Sequence, residues 1–519
     1  RPGADAPFLA RQRDNNGSGG PDHPFGVQHS HDGRCHSYFR FVSPDEFFDS
    51  NPEYFTEMGG VRRRLEPQLC LSNPEVLEIV TERMLARMAE SPGVRQHNFS
   101  QMDYYNNCEC AACTEINQKY GTMGGTQFWF VNKLAERTSK QFPDKLIGTL
   151  AYMYTEEPPV GMKMHPNVAV WLCHMFPCCD SHPIASCPLN ADYKRRAMAW
   201  SEICSHLYIW HYIVDFAHYY NPFPNFRAMA ADIRFYRDIG AEGVYLQGMS
   251  HGGGGGEFSL LRPYYGMQLL WNPDQDPEAI IIGFLKHYYG AAWEPIHRYI
   301  TLIHDKVEQD NVHLHLYVNP AMGHMPDDIL AQSEALFDEA EKAVPGDPEM
   351  LERVRVARMP LVYAKLFPRN GYTINNDLLV FTPPLATMGD AMEMTERMKR
   401  HGFNTLREMQ GEYTQLGLLA ALFNMPMAAP SIDNGQLTVD AVPILGGRVL
   451  RIIDKQSGEC VTAHNTTRSL FFPFCGGEEM RLGGIFMPSG MFEQYELAGK
   501  TGTSITLKGK VAGFDVKRT

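Results

Sequence analysis

Three kinds of residue in this sequence could do chemistry. They are carboxylates that follow short apolar runs, aromatic and amide side chains beside them, and a tight group of cysteines. The stretch 100–113, Ser-Gln-Met-Asp-Tyr-Tyr-Asn-Asn-Cys-Glu-Cys-Ala-Ala-Cys, holds all three. Asp103 follows a strand-like run, and Glu257 closes a loop of five glycines, 252–256. A carboxyl that donates a proton and a carboxylate that stabilises positive charge at a sugar carbon are what glycoside hydrolysis needs. Aromatic faces stack on pyranose rings, while amides, imidazoles and acids read hydroxyls.

Asp103 and Glu257 are therefore the candidate catalytic residues. A helix cap or loop hydrogen-bonder is the plain alternative for Asp103, and a solvated loop acid for Glu257. Glu156, beside Glu157, is a third acid: two adjacent acids could repel and raise one pKa, or both could simply be exposed before Pro158-Pro159. His36, Tyr154, Glu156, His174, Trp210, Tyr212 and Gln247 complete the list as substrate-binding candidates. Ordinary aromatic packing and structural histidines are the competing readings. Asp215 reads equally as a structural partner for an arginine.

Cys108, Cys110 and Cys113 form a C-x-C-x-x-C cluster, and most of the twelve cysteines fall between Cys35 and Cys204. With Cys173, Cys178, Cys179 or His182 the three could complete a tetrahedral zinc site. Disulfides and free buried thiols fit the same residues, and no second C-x-x-C supplies the other half. No metal ligand is assigned on this basis. A thiolate-rich site would in any case be structural, because it leaves no open coordination position. No G-x-G-x-x-G opens a helix, and no cofactor is expected.

The elements that must position these residues read as strand, polar loop, helix, repeated at least five times. Strand-like runs at 35–42, before 101, at 146–154, 168–173, 207–213 and 243–247 alternate with helical patterns. Among these are one opened by Asn73-Pro74-Glu75 and others near 125–141, before 207 and near 226–239. Such alternation implies a parallel sheet, and so many units in about 300 residues favour a (β/α)8 TIM-like barrel. In that fold the active site lies at the C-terminal strand ends, where the candidates fall. The expected domains are a catalytic barrel at 1–317, a helical domain at 318–425, and a β-rich domain at 426–519 that opens a β-sandwich. The chain begins Arg1-Pro2-Gly3 and stops in a strand-like region. It therefore reads as a fragment at both ends, with the first barrel strand absent.

A chain of 519 residues exceeds one ordinary core. Its formal charge of −13 argues against a nucleic acid or an anionic membrane as partner. No apolar run is long enough to span a bilayer.

Several ordered motifs resemble a known family. They are Pro52-Glu53-Tyr54-Phe55, Gln68-Leu69-Cys70-Leu71-Ser72-Asn73-Pro74-Glu75, Ser100-Gln101-Met102-Asp103 with the cysteines, Leu150-Ala151-Tyr152-Met153-Tyr154-Thr155, and Gly254-Gly255-Gly256-Glu257-Phe258 leading to Leu270-Trp271-Asn272-Pro273-Asp274. Over about residues 8–310 the chain resembles the bacterial domain of unknown function 4838, the core of glycoside hydrolase family 163. The resemblance implies a (β/α) barrel and a retaining endo-β-N-acetylglucosaminidase that cuts the chitobiose core of complex N-glycans. It also implies substrate-assisted catalysis by two carboxylates, an oligosaccharide or glycoprotein glycan as substrate, and an extracytoplasmic location. The segment 442–448 resembles the opening of a galactose-mutarotase-type sandwich. The alternatives are an exo-acting glycosidase on uronic or plant oligosaccharides and a non-catalytic carbohydrate-binding barrel. Few Arg or Lys fall at the strand ends, which favours neutral sugars.

Overall fold

The computed structural model describes residues 31–32, 35–175, 179–249, 255–321, 323–367, 372–382, 385–408, 425–443, 448–460, 495–511 and 514–519. Residues 8–13, whose pattern fits a helix end, Cys178, the glycines 252–254 and residues 446–447 lie outside them. The chain divides into two compact units. One holds the described residues through Ile213, with Asn225–Gly248 and Arg262–Ile280. The other holds Val214–Pro224, Met249–Leu261 and the described residues from Ile281 onward.

The first unit is built on six parallel strands: β1 (His31–Asp32), β2 (Gln96–Asn98), β3 (Leu146–Ala151), β4 (Val168–Cys173), β5 (His206–Tyr212) and β6 (Gly243–Gln247). Each lies beside its predecessor, in the order β1 to β6. A doubly wound sheet reverses direction partway, whereas this one winds one way, as the arc of a barrel does. Among the described residues no hydrogen-bonded pair closes β6 onto β1.

Helices α1 (Pro74–Glu90), α2 (Ala111–Lys119), α3 (Gly125–Thr138), α4 (Ala191–Ile203), α5 (Phe226–Asp238) and α6 (Leu261–Trp271) fill the connections. Asn73 caps α1 by accepting the Glu75 amide at 2.9 Å, with Pro74 in the first turn. Between β3 and β4 a single 3-10 turn, Met153–Thr155, stands where the repeat would place a helix.

Side chains alternate across the sheet. Val168, Val170 and Leu172 of β4, and Leu207 and Ile209 of β5, pack into the core that also holds Leu134 of α3 and Trp200 of α4. Trp171, Cys173, Tyr208, Trp210, Tyr245 and Gln247 occupy the other set of positions, the inner face. Gly148 of β3 is also there, directly beside Asn98 in the register. A Cβ on Gly148 would overlap Asn98 Oδ1 and Gln96 Nε2, the amide pair that needs that space.

The expected strand at 35–42 is a correction. Tyr38–Arg40 is a turn of 3-10 helix, and the strand is His31–Asp32. Tyr38, Phe41 and Val42 are its buried hydrophobic residues, a spacing of three and four that belongs to a helical turn. The short β1 is tied to α1 by Arg87, which donates to both Asp32 oxygens at 2.6 and 2.7 Å. Arg87 and Arg40 hold the Asp32 carboxyl down at about 2.

In the second unit, α7 (Pro277–Tyr289), whose N-terminal turn belongs to the first unit, is followed by α8 (Trp293–Gln309), α9 (Asp327–Lys342), α10 (Pro348–Lys365) and α11 (Met388–His401). The helical texture expected over 318–425 is interrupted by a hairpin of β7 (Tyr372–Asn375) and β8 (Leu378–Phe381). Asn376 and Asp377 both have positive φ, 51° and 61°, as a two-residue primed turn requires. Met359 and Tyr363 of α10, Leu379 and Phe381 of β8, and Met394 and Met398 of α11 share one core. Beyond 426 the strands form antiparallel sheets.

Candidate functional site

Asp103 follows the C-terminal end of β2 on a segment clamped from both sides. Gln68 Nε2 donates to the carbonyls of Met102 (2.9 Å) and Tyr104 (2.7 Å), and the Met102 amide donates back to Gln68 Oε1. Tyr104 Oη and Asn106 Nδ2 donate to the carbonyls of Pro67 and Glu66. The carboxylate itself accepts from Tyr152 Oη at 2.8 Å and faces His36 Nε2 at 3.7 Å. Both His36 and Asp103 keep more than a quarter of their side-chain surface exposed, 27% and 29%, so a ligand can reach them.

The partners of Asp103 are themselves positioned. His36 Nδ1–H donates to the Gln101 carbonyl at 2.8 Å, because a carbonyl can only accept; this turns Nε2 toward Asp103. Gln101 is fully buried. Its amide donates to the Tyr152 carbonyl and Thr155 Oγ1, and its oxygen accepts from Gln127 of α3. Gln127 also accepts from Tyr38 Oη at 2.7 Å. This buried amide chain fixes the ends of β2 and β3 at once. His36 and Met153 both have positive φ (51° and 56°), backbone strain of the kind that gathers where side chains are aimed.

Glu156 follows the next strand end. Its side chain is mostly buried, and burial raises its carboxyl to about 7. Arg196 Nη2, at 3.4 Å, opposes that rise, and the neighbouring Glu157 is the smallest contributor to it. The two adjacent acids are thus separated by environment rather than by repulsion. Glu157 is held down by Arg195, which donates to both of its oxygens at 2.6 and 2.7 Å.

On β5 and β6 the inner face brings together Trp210, Tyr212, Tyr245 and Gln247. Trp210 Nε1 donates to Gln247 Oε1 at 2.5 Å and meets the Tyr245 ring edge-on at 4.8 Å. Tyr245, which sequence reasoning missed, is 40% exposed and offers an open ring. Its inward position in the alternation of β6 was the available signal.

Two candidates lie elsewhere. Tyr154 is buried against a small cleft with Cys113, Asn117 and Gln127, not on the inner face. His174 falls on the helix side. It is fully buried, edge-on to Tyr193 of α4 at 4.6 Å and beside His211, which meets Tyr236 Oη of α5 at 3.0 Å. Its Nδ1 lies 3.2 Å from Asp180 Oδ1. Burial drives the imidazole down to about 3 and the Asp180 carboxyl well up.

In the second unit, Glu257 is buried rather than solvated, with its amide donating to the Tyr219 carbonyl at 2.9 Å. Gly255 and Gly256 have φ of 115° and 117°, and Phe258 has φ of 47°. A Cβ on Gly255 would lie 2.5 Å from Tyr220 Oη, and one on Gly256 only 2.7 Å from the Tyr219 carbonyl. This turn needs both glycines to carry the acid where it is. Asp215 is buried and accepts from the amides of Ala217 and His218 and from Asn221 Nδ2, so its partners are a turn and an amide rather than an arginine.

The six-stranded parallel sheet, with its polar and aromatic inner strand ends, defines a mixed α/β protein whose candidate site lies at the C-terminal edge of the sheet. The chain belongs to the family described as Domain of unknown function (DUF4838), whose model matches residues 7–301. No curated protein sequence matches the chain. Among solved structures, an O-GlcNAc hydrolase variant from Thermobaculum terrenum is 12% identical with a TM-score of 0.30. That match covers 64% of this chain and 70% of the other. A GH138 enzyme targeting pectin rhamnogalacturonan II is 9% identical with a TM-score of 0.29, covering 67% of this chain and 58% of the other. No helix among the described residues is long and apolar enough to cross a membrane.

Proposed function

We propose that this chain is a glycoside hydrolase, a retaining endo-β-N-acetylglucosaminidase acting on complex N-glycans, with its sheet closed as a (β/α)8 barrel. The observation that supports it is Asp103, at a strand end, hydrogen-bonded by Tyr152 on a face furnished with Trp210, Tyr212, Tyr245 and Gln247. Rings there suit pyranose faces, and amides suit hydroxyls.

In the reaction the 2-acetamido oxygen of the substrate attacks the anomeric carbon as the glycosidic C–O bond breaks. A carboxyl gives its proton to the leaving oxygen; water later reopens the cyclic intermediate, giving up a proton to the same group. Asp103, steadied by Tyr152, orients the acetamido N–H and offsets its developing charge. Glu156, with its carboxyl near 7, has the protonation behaviour of the acid.

The test is mass spectrometry of glycans released from a biantennary N-glycoprotein by the wild type and by Asp103→Asn, Glu156→Gln and Glu257→Gln. Release of a glycan one N-acetylglucosamine short, lost in Asp103→Asn and in one of the glutamine variants, is the expected result. No release by a folded wild type sinks the reading.

A further inference from the structure

The cysteine cluster has a fourth member that the spacing did not reveal. Cys70, from the turn before α1, lies with Cys108, Cys110 and Cys113 in one buried group, and all four Sγ atoms fall within 4.8 Å of one another. Cys70 Sγ is 3.6 Å from Cys110 Sγ and 3.9 Å from Cys113 Sγ. Four thiolates around a tetrahedral Zn²⁺, at metal–sulfur distances of about 2.3 Å, sit about 3.8 Å apart along each edge. No disulfide joins the described cysteines of this group.

From this geometry we propose that Cys70, Cys108, Cys110 and Cys113 bind one structural Zn²⁺ as a tetrathiolate. The surroundings are those a thiolate cluster needs. The Glu57 amide donates to Cys108 Sγ at 3.4 Å, and Arg62 Nη1 lies 3.8 Å from the same sulfur. Both come from the hairpin of Glu57–Met58 and Val61–Arg62, which covers the site. Ser72 Oγ is 3.1 Å from Cys113 Sγ. Cys110 is the N-cap of α2 and Cys113 sits in its first turn, so the positive end of the helix faces two of the sulfurs. Zn²⁺ with four thiolates carries two net negative charges; the Arg62 guanidinium and these donors offset them. With four sulfurs bound the site has no open position, so its role is to hold structure. It joins the turn before α1 to the segment that continues from Asp103. The inference stands on this cluster and does not depend on the proposed reaction.

The experiment is elemental analysis of the full chain, expressed in zinc-supplemented medium and purified without chelator, followed by cobalt exchange. The expected result is one zinc per chain. After exchange, the near-ultraviolet thiolate-to-cobalt band and the intense visible bands of a tetrahedral tetrathiolate should appear. Alkylation mapping should show the four cysteines protected until the metal is removed. Cys70→Ser should reduce the metal content at least tenfold. Because that variant could fail to fold, the cobalt spectrum and alkylation map of the wild type decide independently. A wild type without stoichiometric metal, a cobalt spectrum lacking thiolate ligation, or a peptide map joining Cys70 to another of the four by a disulfide overturns the assignment.

Discussion

The Tyr152 hydroxyl donates to Asp103 Oδ1 at 2.8 Å, so a side chain at the end of β3 holds the carboxylate that follows β2. Under the proposed reaction, Asp103→Asn lowers kcat by about 10²- to 10⁴-fold with the fold retained. A hydrogen bond to a charged group is worth about 1.5–3 kcal/mol, so Tyr152→Phe costs about 10- to 100-fold in kcat. Steady-state kinetics on a chromogenic N-acetylglucosaminide conjugate, with circular dichroism alongside, checks both. Equal activity of Tyr152→Phe and wild type would remove the hydrogen bond from the mechanism.

Glu156 supplies a pH signature. Its carboxyl rises from the ordinary 4.5 to about 7 in the fold, so between those values the folded protein holds a proton that the unfolded chain has released. Stability from this group is full below 4.5 and falls as pH climbs through 7, by up to about 3 kcal/mol. Glu156→Gln abolishes that slope. Urea unfolding midpoints at pH 5 and pH 8 should differ less in the variant than in the wild type. An unchanged difference would place the slope on other groups.

His174 works in the opposite direction. Burial lowers its pKa from 6.5 to about 3, so the unfolded chain binds the proton first. Stability from this group is full above 6.5 and is lost as pH falls toward 3, at a slope approaching about 1.4 kcal/mol per pH unit. His174→Phe keeps a ring against Tyr193 and should flatten this acid limb in unfolding midpoints taken from pH 7 to pH 5. An equally steep limb in the variant would assign it to His211 or other titrating groups.

The turn before Glu257 makes a steric prediction. Gly256→Ala puts a methyl group against Met249 Sδ and the Tyr219 carbonyl in a backbone conformation that an L side chain resists. It should destabilise the fold by about 1–3 kcal/mol, seen as a lower unfolding temperature. A neutral result would mean that the turn can open without cost.

The sequence announced the sheet better than the site. The run at 168–173 matches β4 because a strand buried on both faces must be apolar throughout; the run at 243–247 matches β6, although its residues are only partly buried. Asn73-Pro74 marked its helix start because cap chemistry is local. Residues 35–42 misled because Tyr38, Phe41 and Val42 give an apolar run whose helical period shows only once its buried positions are known. Asn376-Asp377 was a readable turn between short alternating runs, masked by helices on both sides. Cys70 could not be found by spacing, since it lies 38 positions before Cys108 and only the fold joins them. His174 and Cys173 are neighbours in sequence but opposite in facing, and strand phase had to be fixed before either could be placed. The burial of Glu156, which sets its protonation, depends on α4 and has no local signature.

That strand phase also separates two kinds of evolutionary change. Along β4, β5 and β6, helix-facing positions such as Val170, Ile209 and Val244 are committed to the core, and Trp171 and Tyr208 pack in a cluster of their own with Leu146 and Ala169, while Trp210 and Tyr245 belong to neither. A mutational library confined to the latter set would vary what the sheet presents while leaving the helix layer unaltered. Drift in the former set would erode folding without altering the face to which the proposed function assigns recognition. New preferences can therefore accumulate on alternate letters of the same strands, at little risk to the scaffold that carries them.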